Sequence, residues 1–379
     1  MKYYTVEGNK KSIFKVFAIY YICMALFCLV RVLSSIDGVL PQGKWGDIIF
    51  TIVIQLVLLF IIPFVLYMKF LKVTPRQTFE HFNYSKISVV VVFISIAIGI
   101  LCFFVNVAVS SLFNGILTFT GYRFSSGGGD FDYSIGNFFL QLFLVAVCPA
   151  FCEEFLHRGL VLQGIKHMGF KKAIVISSLL FALLHFNVQQ VSYAFVIGLI
   201  LGFVAVVSKN IYPAIIIHFV NNAISTYLDF ASARGWVFGD VLSGLQRMLL
   251  AGNTTLIFII SCVVMVVVVA LLCLLIWLLY KRTIVSKVNK AIDKAYMKVS
   301  IFSRNQPIHV SAEHEAIRDL LENSTLLNLD YKALDNPIDI VMPKEKSRYA
   351  PKHMDMLFMW GAIAMGVVVT IFTYMWGLF

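Results

Sequence analysis

Charge is scarce in this chain. Asp, Glu, Lys and Arg make up 13% of its 379 residues, against 60% hydrophobic residues and 34 phenylalanines. A water-soluble domain carries about twice that share of charge, so an ordinary soluble enzyme is excluded. Proline is rare as well, nine residues in all, which leaves long apolar runs free to form unbroken helices. The seven cysteines (Cys23, Cys28, Cys102, Cys148, Cys152, Cys262 and Cys273) lie inside those runs, without the spacing of a disulfide framework or a metal site. They read as small packing residues, because a thiol in apolar surroundings is inert. The His-Glu-x-x-His sequence of zinc proteases is missing. Ser125-Ser126-Gly127-Gly128-Gly129-Asp130 lacks the lysine of a phosphate loop and reads as a flexible external loop. No internal repeat of the kind found in inverted-topology transporters is evident.

What is present is membrane-spanning helix. About 20 apolar residues cross the hydrocarbon core, where backbone groups must bond within their own segment. Nine stretches qualify, at 13–34, 47–71, 88–113, 135–165, 171–187, 191–208, 211–228, 255–280 and 355–378. The expected fold is therefore all-α, a polytopic membrane protein of about nine transmembrane helices. The first run is too long for a signal peptide and lacks a small-residue cleavage site, so it is expected to remain as an anchor. Lys72, Arg76 and Lys86, then Lys166, Lys171 and Lys172, then Lys209, then Lys281 and Arg282 all fall on the same side as Lys2, Lys10 and Lys11. Basic loops stay cytoplasmic, which predicts a cytoplasmic N-terminus and an external C-terminus. The net charge of +11 is accounted for by that orientation and by anionic headgroups of the lipid bilayer; no nucleic acid is expected as a partner.

The chain divides into N-terminal transmembrane helices (1–87), a helical core (88–228), an external loop with the eighth span (229–280), a cytoplasmic segment (281–352) and a last transmembrane helix (353–379). The cytoplasmic segment starts basic, is amphipathic over Ile292 to Val299 and Ala312 to Leu321, and turns irregular through Pro337, Pro343 and Pro351. His309 and His314, with Glu313 and Glu315, read there as a solvated helix face.

One cluster breaks the apolar pattern. Glu153-Glu154-Phe155-Leu156-His157-Arg158 sits within the 135–165 run, where each ionisable group costs at least a few kcal/mol. Such groups must line a polar interior. Glu154 and Arg158 are four apart with the acid first, the favourable order for an intrahelical ion pair. Glu153 points about 100° away and is left to face a cavity; His157, one turn on, is expected to line that cavity beside it. Pro149 cannot donate to the carbonyl of Val145, so the helix is expected to open there. Two more polar intrusions follow, Phe181-x-x-x-His185 and His218-x-x-x-Asn222, each pairing residues on one helix face. The active-site cavity is thus expected between helices 4, 5 and 7.

The residue types suit two chemistries. A desolvated Glu153 is a strong enough base to take a proton from water. His185 would hold that water, and His218 and Asn222 would supply donors for the oxyanion of a tetrahedral intermediate. Equally, Glu153, His185 and His218 make the ligand set of a catalytic Zn. Two other function classes compete with hydrolysis: a proton-coupled transporter using Glu153, His157 and His185 as a relay, and a non-catalytic scaffold or immunity protein.

The order Glu-Glu-x-x-x-Arg, Phe-x-x-x-His, His-x-x-x-Asn over residues 88–228 resembles the CPBP family, the intramembrane proteases that include type II CAAX prenyl endopeptidases and bacterial proteins linked to bacteriocin processing or self-immunity. The resemblance implies an intramembrane endopeptidase in a bacterial cell membrane, acting on membrane-associated proteins or peptides, some of them prenylated. It implies Glu153 as the activating base supported by Glu154 and Arg158, water or metal contact by His185, and oxyanion stabilisation by His218 and Asn222. His157 falls at a position the family pattern leaves open.

Overall fold

The computed structural model describes residues 6–36, 38–39, 43–124, 131–240, 254–285 and 353–378. Among these residues every regular element is a helix. The predicted loop at Ser125–Asp130, and the 281–352 segment beyond residue 285 with His309 and His314, lie outside the described residues.

In chain order the helices are α1 (Val6–Ser34), α2 (Lys44–Leu71), a short α3 (Pro75–His81), α4 (Val89–Phe119), α5 (Ile135–Ile165), α6 (Phe170–Leu184), α7 (Val188–Ser208), α8 (Tyr212–Arg234), α9 (Thr254–Tyr280) and α10 (Leu357–Trp376). All nine predicted stretches are helical. Seven candidate spans meet both length and apolarity, those on α1, α2, α4, α5, α7, α9 and α10. At 15 residues α6 is ~22 Å long, short of the ~30 Å hydrocarbon core. The other exception, α8, carries His218, Asn221, Asn222 and Asp229. These two are the helices that bring the predicted histidines. The fold is all-α and polytopic, as expected, with the count of nine left open.

Local chemistry sets the helix ends. Thr74 and Gln77 form a reciprocal capping box at the start of α3, and Ser88, Ser134 and Asn187 cap α4, α5 and α7. Before the Ser134 cap, Asp132 accepts the Ser134 backbone N–H at 2.9 Å, which holds this exposed carboxyl below its usual range.

The core has two parts. Phe17, Tyr20 and Met24 of α1 pack with Cys152, Phe155 and Leu156 of α5 and with Leu180 and Leu183 of α6. Phe60, Phe64, Phe79 and Phe82 surround Phe155 at 4.8 to 6.4 Å between ring centroids, edge to face, the arrangement the ring quadrupole favours. A second cluster joins α4, α7, α8 and α9 through Ile98, Leu201, Ile217 and Leu272. Between them α6 and α7 lie close together. A Cβ on Gly198 would stand 3.1 Å from that of Ser178, so the bare glycine sets their separation.

Candidate active site

The helix that carries the charge cluster is not a regular α-helix. π-helical stretches at Leu142–Val147 and Phe155–Leu162 flank Cys148–Glu154, and such wider turns gather at functional sites. Pro149 explains the first. It offers no N–H to Val145, and the freed carbonyl is taken by the side-chain Nδ2 of Asn222 at 3.0 Å. The opening predicted from the sequence is therefore present, and a residue from α8 fills it.

Glu154 and Arg158 are fully buried and paired at 3.0 Å. The guanidinium also donates through Nη2 to the Gly198 carbonyl at 2.9 Å and lies 4.6 Å from the centre of the Phe181 ring. The same Glu154 Oε1 accepts Nδ1 of His218 at 2.9 Å. A carboxylate only accepts, so Nδ1 carries a proton, and in the neutral form of the ring Nε2 keeps a lone pair. That lone pair lies 4.0 Å from Oε2 of Glu153, too far for a hydrogen bond. His185 is oriented in the same manner. Its Nδ1 donates to the Phe181 carbonyl at 2.9 Å, which leaves Nε2 as an acceptor.

Glu153, His185, His218, Asn221 and Asn222 line one cavity of about 280 Å³, together with Asn106, Pro149, Phe181, Gln190, Tyr193, Ile197 and others. Four of the predicted residues, Glu153, His185, His218 and Asn222, thus come together, from α5, α6 and α8. Glu154 and Arg158 stand behind the cavity wall.

His157 is placed otherwise than expected. Rather than lining the cavity, it is fully buried against α1. Its Nδ1 donates to the backbone carbonyl of Glu153 at 2.7 Å, and Nε2 lies 3.2 Å from the Tyr20 hydroxyl, which donates to the Leu180 carbonyl at 2.8 Å. Both nitrogens thus have protein partners, one on its own helix and one on α1.

Three residues escaped the sequence reading. Phe181 is more than a spacer before His185: its ring packs edge to face on His157, His185 and His218 at 5.1, 5.1 and 5.7 Å. Asn221 adds a second carboxamide to the cavity and donates to Asn222 Oδ1 at 3.0 Å; Asn106 of α4, expected to join helices, does so with Asn221 at 3.5 Å and also faces the cavity. Gln55 of α2 donates through Nε2 to Glu153 Oε1 at 2.9 Å. Its signal was available as the one polar side chain in the run Ile52–Ile61.

The corner between α6 and α7 holds His185 in place. Phe186 adopts a left-handed φ of 49°, a strained conformation for a bulky residue, and is buried against Phe27 of α1 at 5.4 Å. Beyond it, Val188 N–H donates to the Thr373 hydroxyl of α10 at 3.1 Å.

The expected zinc set was Glu153, His185 and His218. Among the described residues no three His, Cys, Asp or Glu side chains are gathered so as to hold one ion. The 4.0 Å between His218 Nε2 and Glu153 Oε2 exceeds the ~3.3 Å that separates two donors on a tetrahedral ion at ~2.0–2.1 Å. The other Glu153 oxygen is bonded to a neutral amide. As arranged, these side chains do not fit a zinc.

Residues 135–224 match the family described as type II CAAX prenyl endopeptidase Rce1-like. This segment is Rce1-like, in the CPBP/CAAX protease family. It begins at α5 and ends just after Asn222 on α8, so it contains all the predicted site residues and leaves out α1, α2, α4, α9 and α10. The match supports membrane protease activity in general and a multi-pass membrane protein. No curated protein and no solved structure matches the chain.

Proposed function

We propose that the protein is an intramembrane endopeptidase in which Glu153 activates water for attack on a peptide bond. The observation that carries this reading is the 4.0 Å between Glu153 Oε2 and His218 Nε2, beside His185 in the same cavity, a gap that in the neutral form of His218 sets two acceptors face to face. Water has two hydrogens to give and satisfies two such acceptors at once, which turns its own lone pairs outward. As the water oxygen bonds to the scissile carbonyl carbon, Glu153 takes its proton. It then returns that proton to the leaving amine as the C–N bond breaks.

The developing oxyanion needs donors. A neutral His218 cannot provide one, since its N–H is held by Glu154. The carboxamides can. Each has two N–H groups, of which Asn222 uses one on Val145 and Asn221 one on Asn222, leaving one apiece. This moves the oxyanion role from the pair His218 and Asn222 to Asn221 and Asn222, and leaves His218 to share the water with Glu153.

The substrate is a membrane-associated protein or peptide whose chain enters the cavity in extended form. Prenylated CAAX ends, the class named in the family description, belong to that group. The cytoplasmic N-terminus read from the basic loops belongs to this proposal, as does a bacterial cell membrane as the location.

The test compares new protein termini in membranes of cells expressing wild-type protein with those expressing Glu153→Gln at equal levels. Termini that vanish with the substitution would establish proteolysis and identify substrate and cut site together. An unchanged set of termini across several growth conditions would remove the reading.

A further inference from the structure

We propose that Gln55, on a helix outside the Rce1-like segment, is a positioning residue that tethers one oxygen of the Glu153 carboxylate and so holds the other where a single water reaches both it and His218. The inference rests on the reading of Glu153 as the base.

Two observations meet here. First, Gln55 is the single polar side chain in a ten-residue π-helical run, Ile52–Ile61, that is otherwise entirely apolar. Its Oε1 is buried without a hydrogen-bond partner, so the amide is kept inside the protein at a cost that packing does not explain. Second, its Nε2 donates to Glu153 Oε1 at 2.9 Å, while Oε2, the oxygen left over, stands 4.0 Å from His218 Nε2.

The gap is held from both sides. Glu154 holds His218 through Nδ1 at 2.9 Å, and Gln55 holds Glu153. A carboxylate turns easily about its last torsion, which is broad and two-fold. Released from Gln55, it can rotate so that Oε2 leaves its place opposite His218 Nε2, and one water no longer reaches both acceptors at once. Positioning of this kind bears on the rate of the chemical step more than on substrate capture.

The test uses full-length protein in liposomes, with Gln55→Met and Gln55→Asn beside wild type and Glu153→Gln. Met keeps the length without the amide, and Asn keeps the amide one methylene short. Cleavage is followed with a peptide spanning the cut site found from the termini comparison. The carboxylate stretch of Glu153, assigned as the infrared band lost in Glu153→Gln, is recorded in the same samples. The expected result is a kcat lowered roughly 10- to 100-fold with KM within about twofold, and a shifted Glu153 band in both variants. Unchanged kcat with an unmoved band would overturn the proposal, and so would failure of both variants to insert, which would assign Gln55 to folding. Cleavage by Glu153→Gln would instead strike the reading of the base, while the infrared arm still reports the contact.

Discussion

Glu153 and Glu154 are neighbours in sequence, yet they belong to two different regions. Around Glu154 the structure is dry and closed: Arg158 and His218 both bond to one carboxylate oxygen, and Phe181 covers the guanidinium. Around Glu153 it is open, with one oxygen on Gln55 and the other facing a cavity. The same side chain is a fixed counter-ion in one setting and a candidate base in the other. Environment sets the role, and a single residue step along a helix, about 100°, changes the environment.

The comparison breaks first at Glu153. Glu153→Gln keeps the shape and removes the base, so kcat is expected to fall ~10²–10⁴-fold with the melting temperature in detergent nearly unchanged. A large loss of thermal stability would mean that Glu153 belongs with the closed region after all.

Arg158→Leu tests the opposite side. It leaves the Glu154 charge buried with one partner fewer, which costs about 3–5 kcal/mol and should appear as a lower melting temperature and a lower yield of inserted protein. Adding Glu154→Leu should recover part of the loss, because the two residues share one network. Normal stability in the Arg158 variant would show the pair to be dispensable.

Asn222 joins the regions, since its side chain both faces the cavity and closes the helix opening at Pro149. Asn222→Ala strands the Val145 carbonyl at about 1–3 kcal/mol, and kcat should fall roughly tenfold or more with loss of an oxyanion donor. An effect on stability alone would leave the oxyanion to Asn221.

The smallest effect is expected at the rim. Thr373→Val removes the acceptor for Val188 N–H, at about 0.5–1.5 kcal/mol, and should lower kcat a few-fold through the His185 corner. Equal kcat with lowered stability would show that this corner tolerates looser support.

Much of this site was legible in the sequence because helical spacing is local. Four-residue steps placed Glu154 beside Arg158, and polar groups within apolar runs marked the three helices that converge. The Pro149–Val145 opening was legible for the same reason. What filled it was not, because Asn222 lies 77 residues away. The assignment of donors also ran out: spacing told that His218 and Asn222 share a face, but which nitrogen carries a proton depends on Glu154, 64 residues earlier. His157 went astray because the partner that claims its ring, Tyr20 of α1, lies 137 residues away and no local spacing points to it. Gln55 lay 98 residues from its partner, on a helix that no motif connected to the site. The fold was readable as helices in a membrane, and the span count stayed open because the helices that bring the two histidines are the shorter and the more polar ones.

The hydroxyl that receives Val188 N–H lies 185 residues further along the chain. At ~5–20 residues per second, a ribosome takes roughly 10–40 s to cover that distance. The carboxylates and both histidines of the site are made before that interval ends, while the corner carrying His185 still lacks one of its supports. Assembly of the site is therefore ordered in time by the order of the sequence, and the helix that braces the His185 corner arrives after every residue of the site it supports.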